Sequence, residues 1–160
     1  MTQDFLVRQG TENDLPDALA LIKELAVYEK MPDEVETTVQ TMQRDGFGPQ
    51  PLYGFFVAEL DSQIVGLSLY YYRYSTWKGK RMYLEDLIVT QSKRGLGIGK
   101  VLFERTIQKA KEEDCQGMSW QVLDWNEPAI QFYKRYAAKL EPGWLNCSLS
   151  GSQTDDFEAG

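Results

Sequence analysis

An α/β fold built on a mixed, mostly antiparallel central sheet with flanking helices is what this sequence predicts, and three observations predict it. Residues 53–89 hold three strand-like runs in close succession, Tyr53 to Leu60, Ile64 to Tyr74 and Met82 to Val89, all rich in aromatic and branched side chains. Apolar residues recur at helical spacing before that block, at Leu15, Leu19, Ile22, Leu25 and Ala26, and after it, at Ile98, Val101, Leu102, Phe103, Ile107 and Ala110. Between the third run and the second helix stand three alternate glycines, in Lys93-Arg94-Gly95-Leu96-Gly97-Ile98-Gly99-Lys100.

Each element follows from its own pattern. Phe5 to Arg8 reads as a short first strand, and Asn13 as the N-cap of the first helix. A shorter helix is expected over Thr37 to Arg44, and a turn at Asp61-Ser62 joins the first two runs into an antiparallel meander. The helix after the glycines sets Glu104, Arg105, Lys109 and Lys111 opposite its apolar side. Met118 to Leu123 predicts another strand. Asn126 is placed to cap a helix that carries Pro128 in its first turn and runs to about Tyr136, and Trp144 to Ser150 predicts a last strand. The chain reads as one domain over residues 1–150, followed by a small acidic tail, 151–160, that is expected to be mobile.

Composition narrows the function classes. The 160 residues are 42% apolar, enough for one buried core. No stretch approaches the ~20 consecutive apolar residues of a membrane span, and Met1 to Arg8 lacks the basic and apolar regions of a signal peptide. A cytoplasmic protein without membrane contact is expected. Cys115 and Cys147 stand far apart, which suggests reduced thiols over a disulfide framework or a thiolate metal cluster. There is no histidine, so the commonest metal ligand and the commonest neutral-pH base are both missing. No metal is expected, and any acid or base must be Asp, Glu, Tyr, Lys, Cys or water. A net charge of −7 opposes binding to nucleic acid, whose phosphates need a basic surface. A small cationic partner suits it better.

The glycine stretch opens a helix, where unpaired N–H groups and a partial positive charge favour anions, and glycines bare the backbone. It is a candidate pyrophosphate cradle. A P-loop would need Gly where Arg94 stands and Ser or Thr where Val101 stands; a dinucleotide fingerprint would need Gly or Ala at Lys100 and an N-terminal βαβ unit. Neither is met. A merely flexible turn is the competing explanation.

Leu84-Glu85-Asp86-Leu87 puts two carboxylates inside an apolar strand, where alternation would send them to opposite faces and at least one inward. A buried carboxylate needs a cation, a hydrogen-bonded role or a raised pKa. A cationic amine substrate and a structural ion pair both satisfy that demand. Tyr28-Glu29 closes the first helix, where an acid opposes the dipole; function or plain solvation would explain it.

Taken together, LIKELAVYEKM, DGFG, YSTWKGK, YLEDLIV, RGLGIG and LDWNEPAIQFYKR resemble the GNAT family of acetyl-CoA-dependent N-acetyltransferases over nearly the whole chain. Within it they look like the diamine (spermidine/spermine) acetyltransferases, and YSTWKGK and LDWN look most like the thialysine-acetylating relatives. The resemblance implies the GNAT fold, acetyl-CoA as co-substrate without a metal, a homodimer, and a small-molecule amine as partner. It implies that Arg94, Gly95, Leu96, Gly97, Ile98, Gly99 and Lys100 hold the coenzyme pyrophosphate. Leu87, Ile88 and Val89 would splay from the next strand to pair with the pantetheine arm and polarise the thioester carbonyl. Asn126, Glu127, Pro128 and Ala129 would line the pantetheine side. Tyr133 would protonate the departing thiolate, with Tyr136 a packing residue. Glu85 would bind the amine and help take its proton through water, with Asp86, Tyr28 and Glu29 as further acceptor-site residues.

Two residues depart from that pattern. Ala137-Ala138 stands where relatives show Gly-Ala, and Ser75 where polyamine enzymes carry Asp, which favours a shorter or less charged amine. The expected reaction is direct attack of a thialysine-like or lysine-like amine, or a short polyamine, on acetyl-CoA in a ternary complex. Acetylation of a protein or aminoglycoside amine, or acetyl-CoA sensing without turnover, are the alternatives.

Overall fold

The computed structural model describes residues 4–160, in two compact units that meet in sequence between Gln121 and Val122. In the first unit five strands form one sheet in chain order: β1 (Leu6–Gln9), β2 (Gly54–Leu60), β3 (Gln63–Ser75), β4 (Gly79–Val89) and β5 (Met118–Trp120). The first four are antiparallel neighbours, and β5 joins β4 in parallel. The meander expected from residues 53–89 is therefore the centre of the sheet. Asp61 and Ser62 close its first hairpin with φ of 51° and 62°, the paired positive values of a two-residue turn matched to strand twist.

The middle of the sheet, Phe55 to Ala58 of β2 and Val65 to Tyr70 of β3, is buried without a break because both faces are covered. Helices α1 (Leu15–Tyr28) and α2 (Val39–Phe47) cover one face: Leu15, Ala18, Leu19, Leu21 and Met42 cluster with Phe55, Val57, Leu67, Leu69 and Ile88. Helix α3 (Ile98–Glu112) covers the other, where Ile98, Leu102 and Ala110 cluster with Phe56, Ala58, Tyr70 and Met82. Phe55 and Val57 point one way and Phe56 and Ala58 the other, as a period of two requires. One polar pair is sealed under α3: the hydroxyls of Ser68 and Thr106 lie 2.9 Å apart, and Thr106 also donates to the Leu102 carbonyl.

The first helix starts differently from the expected Asn13 cap. A short turn of 3₁₀ helix, Glu12–Asp14, intervenes, and Asp14 takes the organising role. Its Oδ2 accepts from the Thr11 N–H at 2.7 Å, while the Arg8 guanidinium grips both carboxylate oxygens at 2.8 and 2.9 Å. An amide could not accept that fork on two oxygens, so the acid one residue on wins. This pair holds the Asp14 carboxyl down at about 2, chiefly through the Arg8 hydrogen bonds.

In the second unit Asn126 caps α4 (Glu127–Lys134), its side chain accepting from the Ala129 N–H at 3.4 Å, with Pro128 in the first turn as expected. The helix stops at Lys134, short of Tyr136. The strand expected over Trp144 to Ser150 is absent: no ladder among the described residues includes it, and Trp144, Leu145 and Leu149 are 82%, 88% and 69% exposed. An apolar run becomes a strand only beside a neighbour. Within the segment read as an acidic tail, Gly151–Asp155 forms a short helix, α5, started by a capping box between Ser150 and Gln153.

Candidate active site

Strand β4 hands over to α3 through a 3₁₀ turn, Gln91–Lys93, and then the glycines. The turn is tied down by Glu24 of α1, whose carboxylate accepts from the Thr90 hydroxyl at 2.9 Å and the Gln91 N–H at 3.0 Å. Gly95 and Gly97 both hold φ of 83°, which glycine adopts freely and other residues do not. A Cβ on either would meet nothing within 4 Å, so the space above the turn is open. Gly99 has no such backbone demand, and a Cβ there would only touch Val89 at 3.6 Å. Gly97 caps α3 without a side chain, and Val101 is the first residue to donate back, to the Gly97 carbonyl at 3.2 Å. The N–H groups of Ile98, Gly99 and Lys100 thus precede the first helical bond and face outward along the axis. Arg94 donates from Nε to the Val89 carbonyl at 3.0 Å, and its guanidinium lies 5.1 Å from the centre of the Tyr28 ring.

The parallel ladder between β4 and β5 ends at Leu84 and Trp120. From Glu85 to Val89 the same edge of β4 has no strand partner among the described residues. On its other side β4 carries a bulge: Asp86 pairs with Leu69 and Leu84 with Tyr70, leaving Glu85 without a cross-strand partner. The extra residue overturns the expectation that Glu85 and Asp86 point to opposite faces. Tyr70 belongs to the α3-side cluster, so its partner Leu84 faces α3 and the next residue, Glu85, faces α1. Leu69 belongs to the α1-side cluster, so its partner Asp86 faces α1 as well. Both acids share one face.

Glu29, the C-cap of α1, completes the group. Burial, then the charges of Glu85 and Glu29, push the Asp86 carboxyl up to about 7, and burial raises Glu29 too. None of the three has an ion pair among the described residues. Tyr71 and Tyr83, cross-strand partners with rings 5.2 Å apart, lie on the same face, and their phenols are raised by burial and then by Glu85. Sequence reading did not single out these two tyrosines; the aromatic run from Tyr70 to Tyr74 was the signal, but only the register shows which of its members look toward the acids.

The second unit places Glu127, Pro128 and Ala129 in the first turn of α4, with the Glu127 carboxylate accepting from Gln131 at 2.6 Å. Tyr133 is buried on that helix, 5.3 Å ring to ring from Phe132. Tyr136 lies past the helix end, 5.6 Å from Phe132.

The pattern of the Acetyltransferase (GNAT) family matches residues 19–137. The chain belongs to that family. It is an acetyltransferase, and the family draws its acetyl group from acetyl-CoA. Thialysine N-epsilon-acetyltransferase of Bos taurus is 39% identical over 84% of this chain and 84% of its own length, and that of Sus scrofa 38% identical over 91% and 92%. A human spermidine/spermine N(1)-acetyltransferase-like protein is 40% identical over 88% of this chain, though over 22% of its own length. Among solved structures, an aminoglycoside acetyltransferase from a soil metagenome superposes with a TM-score of 0.76 at 24% identity, covering 91% of this chain and 97% of the other. That likeness speaks for the GNAT fold.

The residues present fit acetyl-CoA. A bare turn of two left-handed glycines with open space above it, followed by uncapped helical N–H groups, suits a pyrophosphate. The unpaired edge of β4 suits an extended amide arm. Among the described residues no group of three or more His, Cys, Asp or Glu is arranged to hold a metal ion, and no helix is long and apolar enough to cross a membrane.

Proposed function

We propose that this acetyltransferase acts on the primary amine of a small cationic acceptor, a thialysine-like or lysine-like amine or a short polyamine, by direct attack in a ternary complex. The observation that carries the reading is the gathering of Glu85 and Asp86 on the α1-facing side of β4 with Glu29 at the end of α1, none of them in an ion pair among the described residues. Like charges left together destabilise a site unless a cation joins them. The names of the relatives point to the same chemical class.

Acetyl-CoA supplies the acetyl group as an activated thioester. Backbone N–H groups from Gly95 to Lys100, with Arg94 beside them, would hold its pyrophosphate. The open edge at Leu87, Ile88 and Val89 would pair with its pantetheine arm and polarise the carbonyl, with Asn126, Glu127, Pro128 and Ala129 along that arm. Tyr28, Glu29 and Glu85 would anchor the ammonium. The ammonium would first lose a proton to water through the acids of the site; the freed nitrogen would form the new C–N bond as the C–S bond breaks, Tyr133 would give its phenol proton to the thiolate, and the proton shed by the acylated nitrogen would restore the phenol. The reading also takes the enzyme as a cytoplasmic homodimer; its two free cysteines accord with a reducing compartment.

Thiol release tests this with thialysine, lysine, putrescine, spermidine, spermine and a neutral-bodied monoamine. Thialysine or a short diamine should surpass spermine in kcat/KM. Tyr133→Phe should lower kcat roughly 10²-fold, and Tyr136→Phe only mildly. Equal efficiency for the monoamine removes the electrostatic reading. Tight coenzyme binding with no turnover on any amine makes the protein a sensor.

A further inference from the structure

We infer that Asp86, and not Glu85, is the carboxylate that accepts the proton from the attacking amine. The inference rests on the acceptor reading above and deepens it. A lysine-type amine arrives as an ammonium, with a pKa of about 10 in water, and cannot attack until a proton leaves. A base serves best when its own pKa lies near the working pH. Glu85 is exposed, the extra residue of the bulge, so water solvates its charge. Asp86 is partly buried one position on, beside Leu69, with no hydrogen bond or ion pair to hold it charged among the described residues.

The surroundings of Asp86 reinforce that difference. From α1 it is faced by Glu29, and from β4 by Glu85, and both oppose its ionisation. The phenols of Tyr71 and Tyr83 stand on the same face, with the Arg73 guanidinium over the Tyr83 ring at 5.4 Å and Arg94 over Tyr28 at 5.1 Å. Neither arginine forms an ion pair with the three acids. This setting puts the Asp86 carboxyl at about 7, where it holds or releases a proton with equal ease.

The protons balance. The ammonium gives one N–H proton to the Asp86 carboxylate, which passes it to water. The freed lone pair forms the C–N bond, the C–S bond breaks, and the second N–H proton lost as the adduct collapses balances the one Tyr133 gives to the thiolate. Glu85 holds the acceptor.

The test is the pH dependence of kcat/KM for the preferred amine, measured with wild type, Asp86→Asn and Glu85→Gln, beside a carbon-13 carboxyl titration of the enzyme without substrates. Wild type should show an ascending limb with a midpoint near 7, and Asp86→Asn should lose that limb and at least ~10²-fold in kcat. Glu85→Gln should raise KM for the amine and keep the limb, moved to lower pH because one repelling charge is gone. The titration should show a resonance with the same midpoint that vanishes in Asp86→Asn and moves acidward in Glu85→Gln and Glu29→Gln, a readout that needs no activity. Asp86→Asn with its limb and kcat retained, or an Asp86 midpoint near 4, overturns the assignment to Asp86 alone. A wild type that titrates as expected but acetylates no amine overturns the acceptor reading instead.

Discussion

Replacing Ala137 by Gly should stabilise the protein, an unusual sign for a mutation to glycine. Helix α4 ends in a motif in which the Ala137 N–H donates to the Lys134 carbonyl at 3.0 Å and the Ala138 N–H to the Tyr133 carbonyl at 3.4 Å. That closure needs a left-handed residue between the two donors, and Ala137 sits there with φ of 55°. For a residue with a Cβ this conformation costs about 1–2 kcal/mol. Glycine would relieve it but would add about 0.4–1 kcal/mol of unfolded-state entropy. The net gain is about 0.5–1 kcal/mol. With a urea slope of about 1–3 kcal/mol/M, the midpoint should rise by roughly 0.3 M. Ala138 is not left-handed, so Ala138→Gly carries only the entropic cost and should lower the midpoint. Both follow from circular dichroism in urea. An Ala137→Gly midpoint at or below wild type, or equal shifts for the two variants, would refute the argument.

Gly97→Val should weaken acetyl-CoA binding roughly 10- to 100-fold, the worth of about one hydrogen bond to a charged phosphate. It should also destabilise the fold by about 1–2 kcal/mol, because φ of 83° must be kept; unchanged affinity by calorimetry, on folded protein, removes the cradle. Acid stability should depend on Arg8: Asp14 has its carboxyl lowered to about 2, so its contribution is present above pH ~4 and lost as the pH falls toward 2. Arg8→Gln should cancel about 2 kcal/mol of that acid-dependent loss, and parallel pH profiles of the urea midpoint for both proteins would count against the pair.

The sequence made the meander, the two covered faces and the glycine turn legible because each rests on a short-range signal: a period of two, a period of 3.6, and a residue without a side chain. The positive φ of Gly95 and Gly97 is the same signal seen from the backbone. What stayed hidden depends on counting across strands. A bulge inserts one residue with no mark in YLEDLIV, yet it turns Asp86 from the α3 face to the α1 face. The cap of α1 lies one residue beyond Asn13 for a related reason, since Arg8 of β1, also paired with Glu59 of β2, selects Asp14 through space. Trp144 to Ser150 has strand-like composition, but composition cannot supply a partner. The short helix after Ser150 rests on a local capping box, Ser150 with Gln153, that the acidic composition of the tail does not point to.

Two acids of the first unit thus shape stability with opposite signs, and the contrast separates framework from function. Asp14 has a lowered pKa because Arg8 stabilises its charge, so folding gains as the pH rises from about 2 to about 4 and keeps that gain above it. Asp86 has a raised pKa because burial and two like charges oppose its ionisation, so folding loses as the pH rises from about 4 through about 7. A sequence under selection for stability alone would exchange Asp86 for an apolar residue, as its neighbours Leu69 and Ile88 already are. Keeping the acid there makes sense if a cation enters on every turnover, since an ammonium beside Glu85 relieves the repulsion while Asp86 carries its proton away. The same acceptor should therefore protect the folded enzyme more at pH 8 than at pH 5. Protection that does not grow with pH, read as the shift in thermal midpoint at saturating amine, would mean that the three acids do not meet the substrate.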